Sequence, residues 1–136
     1  MKKIDLKAPI EPGRGAGGIL LGDPVDELPP PTARVQLHEA ERSDYPSVSV
    51  WVRQGLVDQV GVRAGYAGKL LGSLAIGTSI QDVARELGTV TEDDEDNLIV
   101  PGSPGWCFET EAWTLSHKLE DNRASRITEI FVHMKR

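Results

Sequence analysis

Apolar and polar positions alternate most regularly at residues 47–53, where Val48, Val50 and Val52 interleave with Ser47, Ser49 and Trp51. A period of two marks a strand with one buried face. Gln54-Gly55 follows as a turn signal, and an apolar-rich strand pattern resumes from Val57 to Arg63. Residues 47–63 therefore predict a β-hairpin. Val35 to His38 is a shorter strand candidate. Further on, Leu98 to Val100, Trp106 to Trp113 and Arg126 to Met134 predict three more strands. Alternation sets Trp106 and Phe108 on one side of theirs and Trp113 on the other.

Between residues 78 and 88 the period becomes helical. Ile80, Val83, Ala84 and Leu87 share one face. Thr78 and Gln81 form a capping-box pattern, and Gly88 supplies the stop. If Leu87 is well packed, Leu87→Ala is expected to cost about 2–5 kcal/mol. An earlier start signal, Asp23-Pro24 with acids behind it, predicts a second helix. Pro29-Pro30-Pro31 ends it after barely more than a turn. The glycines of residues 13–18 form a flexible or tightly turned lead-in, and residues 65–72 bridge the two halves. Thr91 to Asn97 and Leu115 to Ser125 read as loops.

Two segments match. Leu21-Gly22-Asp23-Pro24-Val25-Asp26-Glu27-Leu28 lies 55 residues before Ile76-Gly77-Thr78-Ser79-Ile80-Gln81-Asp82-Val83, with the glycine, three apolar positions and one acid in common. The expected fold is an α+β domain of two tandem repeats, roughly residues 18–63 and 73–134. Each repeat is a short helix plus antiparallel strands, with the helices on one face of an antiparallel sheet. The 136 residues suit a single domain over 1–136.

Charge narrows the choice of partner. Fifteen Lys and Arg against 21 Asp and Glu give a net charge of −6. An acidic chain is poorly suited to direct nucleic-acid binding or to an anionic membrane, and well suited to a basic partner. The lone Cys107 leaves no intrachain disulfide. Asp5 and Lys7 interrupt the apolar stretch a signal peptide needs, and no run approaches the ~20 apolar residues of a membrane span. A cytoplasmic location is expected.

Familiar catalytic patterns are missing. The glycines at 13–18 lack the strand and long helix of a dinucleotide site, and Gly68-Lys69 lacks the rest of a phosphate loop. His38, His117 and His133 are scattered, so no zinc site is expected. The run Glu92-Asp93-Asp94-Glu95-Asp96 lacks the turn glycine and closing Glu of the known calcium loop. No catalytic residue, metal or cofactor is assigned. Two features stand out as partner-binding candidates. Glu92, Asp93, Asp94, Glu95 and Asp96 form either a solvated loop or an electrostatic docking site. Trp113 is either buried under the 114–125 loop or an exposed interface anchor.

Gly65 to Leu70, Ile76 to Val83, Glu92 to Val100 and Pro104 to Glu109 together resemble a group of small two-repeat bacterial immunity proteins, including those of contact-dependent growth inhibition. The likeness spans roughly residues 15–134 and is strongest over 65–110. It implies an immunity protein that binds one cognate secreted toxin domain, one-to-one, and blocks its active site or substrate surface. Such toxins are often nucleases with a basic surface. The toxin is expected from the neighbouring gene. Two other readings stay open: a small ligand-binding or structural module without a toxin partner, and a hydrolase using Cys107 or a carboxylate.

One expectation follows from the single cysteine. Denaturant unfolding should have the same midpoint with and without reductant. A reductant-dependent midpoint would show that Cys107 forms a disulfide between chains.

Overall fold

The computed structural model describes residues 2–112 and 119–135. A short hairpin, β1 (Gly15–Ala16) and β2 (Ile19–Leu20), precedes a 3-10 turn at Val25–Glu27. Four strands follow: β3 (Ala33–Gln36), β4 (Glu41–Tyr45), β5 (Val48–Arg53) and β6 (Leu56–Arg63). The helix α1 (Ile80–Leu87) leads into β7 (Thr91–Glu92), β8 (Leu98–Ile99), β9 (Trp106–Thr110) and β10 (Ile127–His133). A second 3-10 turn spans Leu119–Asp121. Strands β3 to β10 form one eight-stranded sheet in the order β3-β4-β5-β6-β10-β9-β8-β7, and every pair is antiparallel. The order is symmetric about the β6–β10 pair.

The α+β expectation of two helix-plus-strand repeats is overturned. The described residues are mostly β, and α1 is the one α-helix among them. In the first half the three prolines after Leu28 leave only a 3-10 turn where a helix was expected. The matched segments do make the same backbone bonds. Gly22 N–H donates to Val57 and Val57 N–H to Asp23, at 2.8 and 2.9 Å; Gly77 N–H donates to Ile127 and Ile127 N–H to Thr78, at 2.9 and 2.8 Å. What recurs is a glycine turn stitched to a central strand, with φ of 88° at Gly22 and 97° at Gly77.

The expected hairpin at 47–63 is present as β5 and β6. Its turn residues Gln54 and Gly55 have φ of 53° and 79°, the left-handed pair that suits the strand twist. Strand β4 carries no apolar alternation. Its inward residues are Ser43 and Tyr45, both buried, and Arg42 and Asp44 face the other way. The helix starts one residue later than the capping box implied. Ser79 Oγ accepts from Asp82 N–H at 3.2 Å, whereas Thr78 Oγ1 accepts from Ala75 N–H.

One face of the sheet holds the core. Val48, Val50, Val60, Val62, Ile130, Val132 and Phe108 are fully buried there, with Trp106 stacked on Phe108 at 5.5 Å between ring centroids. Ile10, Ile19, Leu70 and Leu74, together with Ile80 and Val83 of α1, join the same apolar cluster. Tyr66 fastens this covering layer. Its hydroxyl accepts from Gly17 N–H at 2.7 Å and donates to the Ala8 carbonyl at 2.6 Å, and burial holds its pKa above the ordinary value. Leu87, expected in the core, is only partly buried at the end of α1.

That difference is measurable. Ile130→Ala, at a fully buried site, is expected to lose about 2–5 kcal/mol in denaturant melts. Leu87→Ala should lose less than about 2 kcal/mol, because part of its surface is already in water. Equal losses would mean that the core is wrongly placed.

Candidate functional site

The period of two that buries one face of a strand delivers every other side chain to the opposite face. On β4, β5, β6, β10 and β9 those residues are Arg42 and Asp44, Ser49 and Trp51, Gln59 and Arg63, Glu129, Phe131 and His133, and Cys107 and Glu109. This face carries two grooves. One, of about 510 Å³, runs from Gln59 and Phe131 across Cys107 to Asp93 and Glu95. The other, of about 400 Å³, is lined by Arg42, Asp44, Ser49, Trp51, Arg63 and Glu129. The grooves meet at Glu109 and Phe131, which line both. Phe131 and Cys107 are buried yet stand outside the core cluster of the other face.

Gly61 sets the geometry at the centre. It pairs with Phe131 across the β6–β10 ladder. A Cβ at this position would lie 3.0 Å from Glu129 Oε2, 3.0 Å from Trp51 Cζ3 and 3.2 Å from a Phe131 ring carbon. The missing side chain lets all three converge. Trp51 and Phe131 meet edge to face, with centroids 5.8 Å apart at 66°. Such a pair offers an electron-rich ring face beside carboxylates, which is favourable for a cation.

The charges on this face are unevenly compensated. Asp44 accepts from Arg42 Nε at 2.9 Å and from Ser49 Oγ at 2.8 Å. Burial alone would raise its pKa, but these bonds and the charges of Arg42 and Arg63 outweigh that and hold it low. Arg63 sits directly opposite Glu129 in the ladder but donates elsewhere, to Ser49 Oγ at 2.6 Å and to the Tyr45 carbonyl at 2.8 Å. Glu129 is register partner to Glu109 on its other side. Like charges directly opposite one another oppose pairing. No hydrogen bond or ion pair reaches either carboxylate among the described residues. The Glu129 pKa is raised, first by burial and then by Glu109, with Asp44 adding to it and Arg63 and Arg42 opposing.

Of the residues singled out in the sequence, Asp93 and Glu95 line the far end of the larger groove, and Glu92, Asp94 and Asp96 do not. Asp93 Oδ1 accepts from the N–H groups of Glu95 and Asn97 at 2.8 and 3.0 Å, so it also braces the turn. Trp113, His117 and residues 115–118 of the expected loop lie outside the described residues. Cys107 and His133 do share a groove, but Cys107 pairs with Phe131, which makes His133 a diagonal neighbour and not a partner. The His133 imidazole Nδ1 lies 2.8 Å from the Met134 carbonyl. Among the described residues no group of three His, Cys, Asp or Glu side chains is placed to hold a metal ion, and no helix is long and apolar enough to cross a membrane. The carboxylate pair was missed because its members are 20 residues apart and meet only through strand pairing. One available signal was the aromatic residues Trp51 and Phe131 at the polar phase of otherwise alternating strands.

No family model matches the chain, and no curated protein is significantly similar to it in sequence. Among solved structures, the chain is similar to the uncharacterized protein yfeY from Escherichia coli, with a TM-score of 0.62 over 93% of this chain and 99% of that one. The sequences are 12% identical, so the likeness concerns the fold alone.

A pH experiment follows from the Glu129 environment. A carboxyl whose folded pKa is raised binds its proton more tightly in the folded state, so stability falls as pH rises from the unfolded to the folded pKa. Glu129→Gln should therefore gain stability relative to wild type as pH rises through that window. The difference should flatten below the ordinary carboxylate range. A pH-independent difference would mean that Glu129 titrates normally.

Proposed function

We propose that this protein works by binding a basic protein on the open face of its sheet, and that the partner is a secreted toxin domain which it neutralises one-to-one. The observation that carries the proposal is the uncompensated pair Glu109 and Glu129 beside the aromatic edge of Trp51 and Phe131. Across the two grooves, five carboxylates (Asp44, Asp93, Glu95, Glu109 and Glu129) face two arginines, Arg42 and Arg63. Both arginines are already engaged within the fold. An apolar centre with a charged surround is the arrangement of an interface hot spot. A nuclease must present a basic surface to its substrate, and that surface is the natural complement of this face. The resemblance of residues 65–110 to immunity proteins supports the toxin as the partner, with the cytoplasm of the producing cell as the place of action.

Asp93 and Glu95 take a different role from the central pair. They line one end of the larger groove, where charge acts on encounter, while Glu109 and Glu129 line the groove beside Trp51 and Phe131, where a docked cation makes contact.

The test is binding kinetics with the toxin domain encoded beside this chain. The double variant E109Q/E129Q should weaken binding by at least about tenfold, mainly through faster dissociation. D93N/E95Q should slow association, with an effect that fades as salt rises. Unchanged affinity in E109Q/E129Q would remove the open face from the interface. Failure of the wild-type protein to bind or inhibit the toxin would refute neutralisation.

A further inference from the structure

Residues 7–12 and 67–72 run side by side and enclose a third groove, of about 510 Å³. It shares no lining residue with the grooves of the open face, so it stands apart from the binding face proposed above. Main-chain bonds tie its walls together. Ile10 N–H donates to the Lys69 carbonyl at 2.9 Å, and the Ala67 and Gly68 N–H groups donate to the Leu6 carbonyl at 2.8 and 3.2 Å. Gly68 permits this approach, because a Cβ there would lie 1.9 Å from the Ala8 carbonyl oxygen. The groove is therefore preformed. Ile10 and Leu70 pair beneath it and are buried in the core. Its surface is mostly apolar, with Pro9, Pro12, Ala67 and Leu71 contributing. Leu71 stands on a tight turn closed by bonds in both directions between Leu70 and Leu74, at 2.7 and 3.0 Å. Its φ of 52° lies in the left-handed region that a leucine rarely adopts. It is also 55% exposed, so the core gains little from it. Strain held at an exposed apolar residue on a groove is the mark of a contact reserved for a ligand.

The charges on this groove have the opposite sign to those of the chain as a whole. Lys7 and Lys69 both line it and both are exposed. Neither makes an ion pair among the described residues. The one acid on the groove, Glu11, is engaged by Arg14 at 3.0 Å. Two free cations beside an apolar trough complement a ligand that is anionic at one end and apolar along its length. We infer that this groove binds a single-chain fatty acid, with its carboxylate between Lys7 and Lys69 and its chain along Pro9, Pro12 and Leu71. A volume of about 510 Å³ falls in the range of small-molecule sites, roughly 300–1,000 Å³. A peptide suits the groove less well. Its amides need partners once covered, and the wall's Leu6 and Lys69 carbonyls and Ile10, Ala67 and Gly68 N–H groups are already spent on one another. An anionic bilayer is opposed by the net charge of −6, which a single monoanion in solution feels far less.

The experiment titrates the full chain with decanoate below its micelle concentration, read by calorimetry and by backbone amide shifts. Decyltrimethylammonium, with the same tail and the opposite charge, is the control. Decanoate should bind saturably, with the largest shifts within residues 7–12 and 67–72, and the control should bind more weakly. K7Q/K69Q should weaken decanoate binding by roughly three- to tenfold, the size expected of two exposed ion pairs, and added salt should shrink that difference. Leu71→Gly should also weaken binding, yet without lowering the melting temperature, because glycine takes the left-handed turn without strain. A Leu71→Gly variant that melts lower and binds as wild type would make the residue structural and overturn its role in the groove. Absence of saturable decanoate binding, shifts centred elsewhere, or unchanged affinity in K7Q/K69Q overturns the site. Equal binding of the two amphiphiles overturns recognition of the carboxylate. Binding of an acidic leucine-containing peptide or of phosphatidylglycerol vesicles at these residues, with decanoate silent, overturns the fatty acid as the ligand.

Discussion

The pairing of β6 with β10 is the interaction on which the rest of the molecule depends. Each half of the chain makes a four-stranded antiparallel run whose last strand would otherwise be an unpaired edge. Joining the two last strands removes both edges and makes one eight-stranded sheet. The same five register pairs serve both faces. On one side Val62 meets Ile130 and Val60 meets Val132, and these four residues are fully buried in the core. On the other side Arg63 meets Glu129, Gly61 meets Phe131 and Gln59 meets His133. A slip of one residue would exchange these sets, burying charge and exposing valine. Core stability therefore fixes the geometry of the open face.

That coupling explains what could be read from the sequence. Strands β5, β6 and β10 and helix α1 were legible because their apolar residues repeat at two or near 3.6. Strand β4 was not, because it lies near one end of the sheet and its inward positions hold Ser43 and Tyr45. The first half's helix was over-read: a good start signal at Asp23-Pro24 meets three prolines before a full turn is complete. The open-face site was less visible still. Five consecutive acids draw the eye, yet only Asp93 and Glu95 reach a groove. Glu109 and Glu129 look ordinary in the sequence and become unusual only through register, assisted by the irregularity in β10 between Ile127 and Glu129. Local pattern specifies elements; which two strands meet, and at what offset, is a property of the whole chain.

The face combines two kinds of electrostatics. In the proposed binding mode, Asp93 and Glu95 contribute to the long-range field that a basic partner meets first, and salt screens that field. In that mode Glu109 and Glu129 act at contact, in the groove that Trp51 and Phe131 also line. The fold tolerates the repulsion between them because the surrounding ladder is anchored by the valine and isoleucine pairs on the reverse side. Retaining such a conflict at a well-paired central strand is the behaviour of a functional site, where local destabilisation is offset elsewhere.

The central claim is that the open sheet face, and not the covered one, receives the partner. Mapping NMR shift changes on this chain when the proposed toxin partner is added tests it most directly. The account predicts the largest changes at Trp51, Gly61, Glu109, Glu129 and Phe131, with smaller ones at Asp93 and Glu95. Changes concentrated on β1, β2 and α1, with the open face silent, would contradict it.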